Sequence, residues 1–521
     1  MEEERPRPDV SWYQDVRRTP PIRSFADRRA IRRRLTLDAL ACLALATLCF
    51  SRASSETLRA DWGFYSRVPL GPPTLQALIL NIIAVAAVGF VSVHLIRRTR
   101  RVGLRRVAAV VAAVALLVAL NFARITYDTL GRWTDAVGRP WLLAFIVLAL
   151  AGSLAWPRPA LRAIRGVALA VSPLAVLTLA HAGWMFFEVA VGPKWHRVEP
   201  RPLERSAPSL RRVVWLVFDE LDQRVTFEAR PPGLELPELD RLRRESLYAD
   251  AARPPAGATE VSMPGLITGR PVVAAAPAGP NDLELTFADD KTASWSAQPN
   301  AFSRARTLGY DTALIGWRLP YPRVLGESLG RADFRPAVTD EQARGATLSE
   351  ALRNQWGSLV PRAHMRKLHV QRFGELGYLA FRTATDGRFG LVLLHLPLPG
   401  SPGGYPDDLV VIDTMIGELR RELQRAGLAD RTWLVLSAAR WRHGSKGADG
   451  QVDHRVPFLI HPPDGGRGAH VDAPFNTLVT HDLVVAILRG SINDTAAATT
   501  WLTSQRTRSP KAYTSEGRPI Y

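Results

Sequence analysis

The stretch Val213-Val-Trp-Leu-Val-Phe-Asp219 decides how the rest of the chain is read. Its apolar residues, half of them β-branched, follow one another without a polar break, which suits a parallel strand buried on both faces. The acidic residue that closes the run has no apolar place to go, so it points into a cleft at the strand's carboxyl end. Asp219 is there a candidate ligand for a hard cation or zinc, or a cap for the segment that follows.

Further apolar runs at 312–315, 391–394, 433–436 and 457–460 read as strands. Between them, helical periodicity marks 236–246, 301–308, 348–355, 369–382, 409–426 and 480–488. Strands alternating with helices imply an α/β domain whose mainly parallel sheet lies between helices. Ligands of such sheets bind beyond the carboxyl ends of strands. Chemistry is therefore expected just after Phe218, near Leu394 and after Leu436.

Downstream of the first strand lies Pro255-Ala-Gly-Ala-Thr259-Glu-Val-Ser262-Met-Pro264, which continues to Thr268-Gly269-Arg270. Small residues, a Thr and a helix opening near Pro264 suit an anion-binding helix N-terminus. A hydroxyl there becomes a nucleophile if a metal or base activates it. Simple helix capping by Thr259 or Ser262 explains the same residues.

Taken together, residues 212–490 resemble the sulfatase-like branch of the alkaline phosphatase superfamily. The features that carry the resemblance are the strand ending at Asp219, the helix Pro237-Glu-Leu-Asp-Arg-Leu242, the segment ending Thr268-Gly269-Arg270, and a helix–strand unit over 302–317. Membrane spans before an extracytoplasmic domain are similar to lipoteichoic acid synthases and lipid A phosphoethanolamine transferases. The resemblance implies Thr259 as nucleophile, three residues before Ser262-Met-Pro264, and Asp219 as metal ligand. It also implies a divalent metal, zinc or manganese, in an active member. The formylglycine motif of true sulfatases does not occur at Thr259.

The chain then departs from that pattern. After the strand 391–394 it reads His395-Leu-Pro-Leu-Pro-Gly400, so His395 stands as a candidate for substrate contact, but Gly400 occupies the position of a second histidine. After 433–436, where the family places an Asp-His metal pair, Ser437 is followed by Ala438 and Ala439. Alanine has no lone pair to coordinate with. Asp453 and His454, with His443 and Asp449, are alternative metal ligands; solvated loop residues, with Asp453 paired to Arg455, are the competing reading. Arg440 and Arg442 are candidate substrate-binding residues, because a guanidinium binds phosphate without metal.

Upstream of residue 190 the character changes. Five apolar runs, 35–50, 75–96, 107–123, 141–156 and 167–189, read as transmembrane helices. The first is short and includes Asp38. Of the whole chain's 67 Lys+Arg and 49 Asp+Glu, the first 189 residues hold 25 and 12, a net of +13. Arg32-Arg33-Arg34 and the cluster at 97–106 put the basic tail 1–34 and the second loop in the cytoplasm, and the three Arg of the fourth loop agree. Five crossings leave 190–211 as a linker and 212–521 as an extracytoplasmic domain. Of the overall charge of +18, the +13 upstream of residue 190 sets topology, and the total calls for no nucleic acid.

The sequence leaves two functions open. One is a catalytically impaired member at the cell membrane that binds an anionic envelope lipid headgroup or glycan, or assists an active paralogue. The other is an active metal-dependent phosphatase or phosphotransferase on envelope lipid or glycan, with Thr259 as nucleophile.

Overall fold

The computed structural model describes residues 25–505 and 513, apart from 60, 62, 69, 99–100, 128–133, 135–136, 192–198, 205–210, 338–342, 358, 360–361, 443, 447–449, 451, 464 and 466–467. The chain divides into two compact units, one from 1–54 with 78–183 and one from 55–77 with 184–521.

The first unit is helical. Helices α1 (Phe25–Cys49), α2 (Ser51–Thr57), α3 (Pro72–Arg98), α4 (Val102–Thr126), α5 (Arg139–Ala155) and α6 (Pro157–Val191) follow in order, several of them continuing into the second unit. Among the described residues three helices, α3, α4 and α6, are long and apolar enough to cross a membrane. Counting α1 and α2 as one bent span makes four, and α5 is a shorter apolar helix. The fifth apolar run is longer than its sequence suggested, because the basic stretch expected as a fourth loop is the first turns of α6. Asp38, the polar residue that weakened the first run, is buried and held by Arg97 and by Arg165, whose Nε lies 2.9 Å from Oδ1. A buried carboxylate is tolerated when it is paired, and here three helices share the pair.

The second unit is an α/β domain. Its eight-stranded central sheet comprises β1 (Arg212–Asp219), β2 (Leu247–Ala249), β3 (Asp311–Trp317), β4 (Arg331–Arg335), β5 (Phe389–Leu396), β6 (Thr432–Arg440), β7 (Phe458–His461) and β8 (Ala469–Val471). In space they run β8-β2-β7-β6-β1-β5-β3-β4, and β6-β1-β5-β3-β4 are all parallel. Every residue of β1 is buried, as its unbroken apolar run demands.

Helices cover both faces. Leu239, Leu376, Leu409 and Leu419 of α7 (Pro237–Glu245), α12 (Arg362–Ala384) and α13 (Tyr405–Arg425) join the cluster around Val214, Leu216 and Phe218. On the opposite face α8 (Thr259–Thr268), α9 (Ala301–Thr307), α10 (Tyr321–Leu325), α14 (Thr480–Arg489) and α15 (Thr495–Gln505) pack with Val213, Trp215 and Val217. The short α11 (Leu348–Gly357) precedes α12. Alternate residues of a strand face opposite sides, so Asp219 continues the row of Val217 toward α8.

Three expectations need adjustment. Helix α8 opens at Thr259 itself rather than near Pro264, which lies inside it. Its N-cap is Ala258 and makes no side-chain bond, so neither Thr259 nor Ser262 caps it. Finally, 55–77 belongs with the domain, and described parts of 190–211 pack on it: Arg201 N donates to Leu329 O, and Leu203 N to Asp311.

Candidate functional site

The parallel register sets the site. Val217 lies opposite His395 on β5, Phe218 opposite Ala438, and a bulge then brings Asp219 opposite Arg440. Asp219 and His395 therefore sit side by side at the carboxyl ends of neighbouring strands. The N-terminus of α8 brings Thr259 to the same place.

These three form one hydrogen-bonded chain with a fourth residue. Thr259 Oγ1 donates to Asp219 Oδ1 at 3.0 Å, and His395 Nε2 lies 3.3 Å from the same oxygen. His395 Nδ1 is 2.8 Å from the Tyr321 hydroxyl, and both rings are fully buried. Burial, then the charge of Asp219, pushes the Tyr321 phenol well above its ordinary value, so it remains a donor. Because the ionised Asp219 carboxylate can only accept, His395 Nε2–H donates to it. Burial by itself would raise the Asp219 carboxyl. The hydrogen bond and electrostatic pull of His395, the Arg440 guanidinium and the Thr259 hydroxyl outweigh that and hold it below its usual value.

Next to this chain the turn after β1 is firmly held. Glu220 takes a left-handed backbone, φ 58°, uncommon for a residue with a side chain. Its carboxylate pairs with Arg440 at 2.6 Å, and its carbonyl accepts from Tyr405 at 3.2 Å. Tyr405 also accepts from Asp222 N, while Arg442 lies over its ring at 4.1 Å. The two arginines proposed for substrate thus have intramolecular tasks on this turn. On the far side of Thr259, Arg318 has φ 63° and approaches Glu260 at 4.0 Å.

The other candidates lie elsewhere in the local structure. Asp453 binds Arg455, with 2.7 Å between carboxylate and guanidinium, and Arg455 also reaches Glu228. Burial opposes ionisation of Asp453, but the bond to Arg455 wins and lowers its pKa. His454 stands edge-on to Trp441 at 4.5 Å. That indole packs on Gly257, two residues before Thr259, where a Cβ would be 2.4 Å from it. His443 and Asp449 lie outside the described residues. At Gly400, φ is 76° and a side chain would run into the His369 ring of α12, 2.6 Å away. His369 Nε2 is in turn 2.8 Å from Leu398 O.

These residues do not fit zinc or manganese. A structural or catalytic zinc takes three or four protein donors. Here Asp219, Thr259 and His395 converge but satisfy one another and Tyr321. Ala439 packs on the Thr259 side of the sheet and Ala438 on the opposite side, each offering only a methyl group. Among the described residues no three His, Cys, Asp or Glu side chains are grouped to hold a metal ion. Chemically, Thr259 donates to an ionised carboxylate. Removing its proton would set two anions about 3 Å apart, which raises the hydroxyl pKa. A carboxylate held below its ordinary value is also a weak base.

Sequence reasoning reached Asp219, Thr259 and His395 but missed Tyr321. The signal was available in Leu319-Pro-Tyr-Pro322, immediately beyond the carboxyl end of β3.

With fold and site in view, the class is an α/β domain with a mainly parallel sheet, in a chain that also carries apolar helices. No protein-family model matches the sequence, and no curated protein does. In structure it is similar to a sulfatase from Pseudoalteromonas sp., at 16% identity and TM-score 0.38, over 55% of this chain and 68% of that one. It is similar as well to the lipoteichoic acid synthase LtaP from Listeria monocytogenes, at 13% identity and TM-score 0.37, over 54% and 73% of the two chains. A phosphonate monoester hydrolase from Silicibacter pomeroyi aligns at 14% identity and TM-score 0.35, over 54% and 73%. The activities in those names belong to those proteins.

Proposed function

We propose that this chain is a membrane-anchored, extracytoplasmic sulfatase-like protein of the alkaline phosphatase superfamily with impaired ester chemistry. It binds an anionic envelope lipid headgroup or glycan, or assists an active paralogue. The observation that carries the reading is that Thr259 and His395 both engage Oδ1 of Asp219, on the face of the sheet where Ala439 offers only a methyl group.

Two features support the orientation, with the N-terminus in the cytoplasm of a cell-membrane protein. Asp38 draws together Arg97 and Arg165, which come from the two basic stretches assigned to the cytoplasmic side. Segment 55–77, which five crossings would put outside, packs as part of the domain.

The test is an assay of the full-length protein, purified in detergent, against phosphate- and sulfate-ester substrates with and without zinc or manganese. Turnover at background in every condition, unchanged by Thr259→Ala, is the expected result. Metal-dependent turnover abolished by Thr259→Ala would establish the alternative, an active phosphatase or phosphotransferase using Thr259.

A further inference from the structure

Two buried guanidinium groups lie outside the candidate site, and both are held by one segment. Arg323 of α10 is 6% exposed. It donates to Pro280 O at 2.7 Å, to Ser66 O at 2.8 Å and to Phe64 O, so two of these carbonyls come from the segment 55–77. Arg344 is 2% exposed, lies 3.5 Å from Asp61 and donates to Glu56 O at 3.4 Å. Glu56 also accepts from Ala343 N at 2.9 Å, and Gln355 donates to Thr74 O at 2.9 Å. Gly63, with φ 78°, is needed where it stands, because a Cβ would come within 2.2 Å of Arg344 Nη1. Burying charge on carbonyls is tolerated only where the acceptors are fixed in place.

The segment grips the part of the domain that carries Tyr321. Phe64 and Tyr65 pack in the same core cluster as Trp295, Leu319, Tyr321 and Val324. On one flank of Tyr321 the Arg318 guanidinium lies 5.6 Å from the Tyr65 ring centre; on the other, Arg323 is tied to Phe64 and Ser66. Tyr321 itself meets the His395 ring edge-on at 5.9 Å and bonds its Nδ1. At its two ends the segment runs without interruption into the apolar helix α3 and the bent pair α1–α2.

We propose that the described residues of 55–77 are a strap that seats α10, and thereby holds the Tyr321–His395–Asp219–Thr259 chain together. A displacement of the helix ends that carry the strap is passed to the site through Arg323 and Tyr65. The site is thus assembled only while the strap is seated. This holds whether or not the site turns over an ester.

The experiment uses full-length protein in detergent and maps diethyl pyrocarbonate labelling of histidines by mass spectrometry. In the wild type His395 is fully buried with both ring nitrogens engaged, and His481 in α14, 1% exposed, serves as an internal reference. Arg323→Met and Phe64→Ala should raise labelling of His395 about fivefold or more while His481 changes less than about twofold. If Arg323→Met yields no folded protein, Asp61→Asn decides by the same ratio, since Asp61 holds Gly63 N at 3.0 Å and Arg344. Equal labelling of both histidines, whether unchanged or raised together, overturns the proposal.

Discussion

Strand β1 carries a charge at each end, and the two ends are treated differently. At the amino end Arg212 is fully buried. It donates from Nε to Phe389 O at 2.9 Å, from Nη1 to Thr432 Oγ1 at 3.1 Å, and from Nη2 to Ala384 O at 2.8 Å and Asp386 O at 3.1 Å. Burial lowers its pKa to about 10, yet it stays charged at neutral pH. At the carboxyl end Asp219 is satisfied by side chains alone, Thr259 and His395, next to the left-handed Glu220. Backbone acceptors make the first a fixed structural rivet. The second is a buried group of side chains, Asp219, Thr259, His395 and Tyr321, hydrogen-bonded to one another. The comparison teaches that this fold can hold an ionised carboxylate at a strand's carboxyl end by side-chain hydrogen bonds, with no backbone rivet of the kind that holds Arg212.

Four substitutions probe that contrast. Arg212→Met strands carbonyls at the amino end and should cost about 3–5 kcal/mol, at about 1–3 kcal/mol per unsatisfied group. Thermal unfolding followed by tryptophan fluorescence measures it, and a small loss would mean the rivet is not structural. Asp219→Asn should cost about 1.5–3 kcal/mol at pH 7, as for hydrogen bonds to a charged group. Because Asp219 is held below its unfolded value of about 3.9, its stabilisation is complete above that pH and disappears as pH falls through the lower folded-state value. Wild type and Asp219→Asn should therefore converge in stability below about pH 4, and a constant gap down to the acid limit would contradict the pairing.

Gly257→Ala presses a methyl group into Trp441 and should cost about 1–3 kcal/mol, the range for overpacking. Adding Trp441→Ala should return most of it; no recovery in this double-mutant cycle would rule out the packing of the indole on Gly257. Smallest is Gly400→Ala, about 1–2 kcal/mol for a left-handed residue gaining a Cβ. Its loss should ease in a His369→Ala background.

Much of this contrast was legible in the sequence. The unbroken apolar runs of β1, β5 and β6 gave their burial directly, and the strand-end rule located Asp219 and His395. Short elements were harder. β2 and β8, three residues each, and the three-stranded sheet of Val272–Pro277, Leu283–Phe287 and Thr292–Ser294 carry too few residues for a period to emerge. The sequence places Arg212 at the start of the domain, but nothing in it marks the four acceptors around that guanidinium. Segment 55–77 joins the domain across more than a hundred residues, and only tertiary packing of Phe64 and Tyr65 reveals it. Ala438 and Ala439 read as two equivalent vacancies, whereas strand alternation sends them to opposite faces.

The central claim, that Asp219 is held by hydrogen bonds from Thr259 and His395 instead of by a cation, is tested most directly by counting metal. Full-length protein, incubated with excess zinc or manganese and desalted, should retain less than about 0.1 metal per chain, and Asp219→Asn should retain the same. About one metal per chain in the wild type, lost in Asp219→Asn, would contradict it.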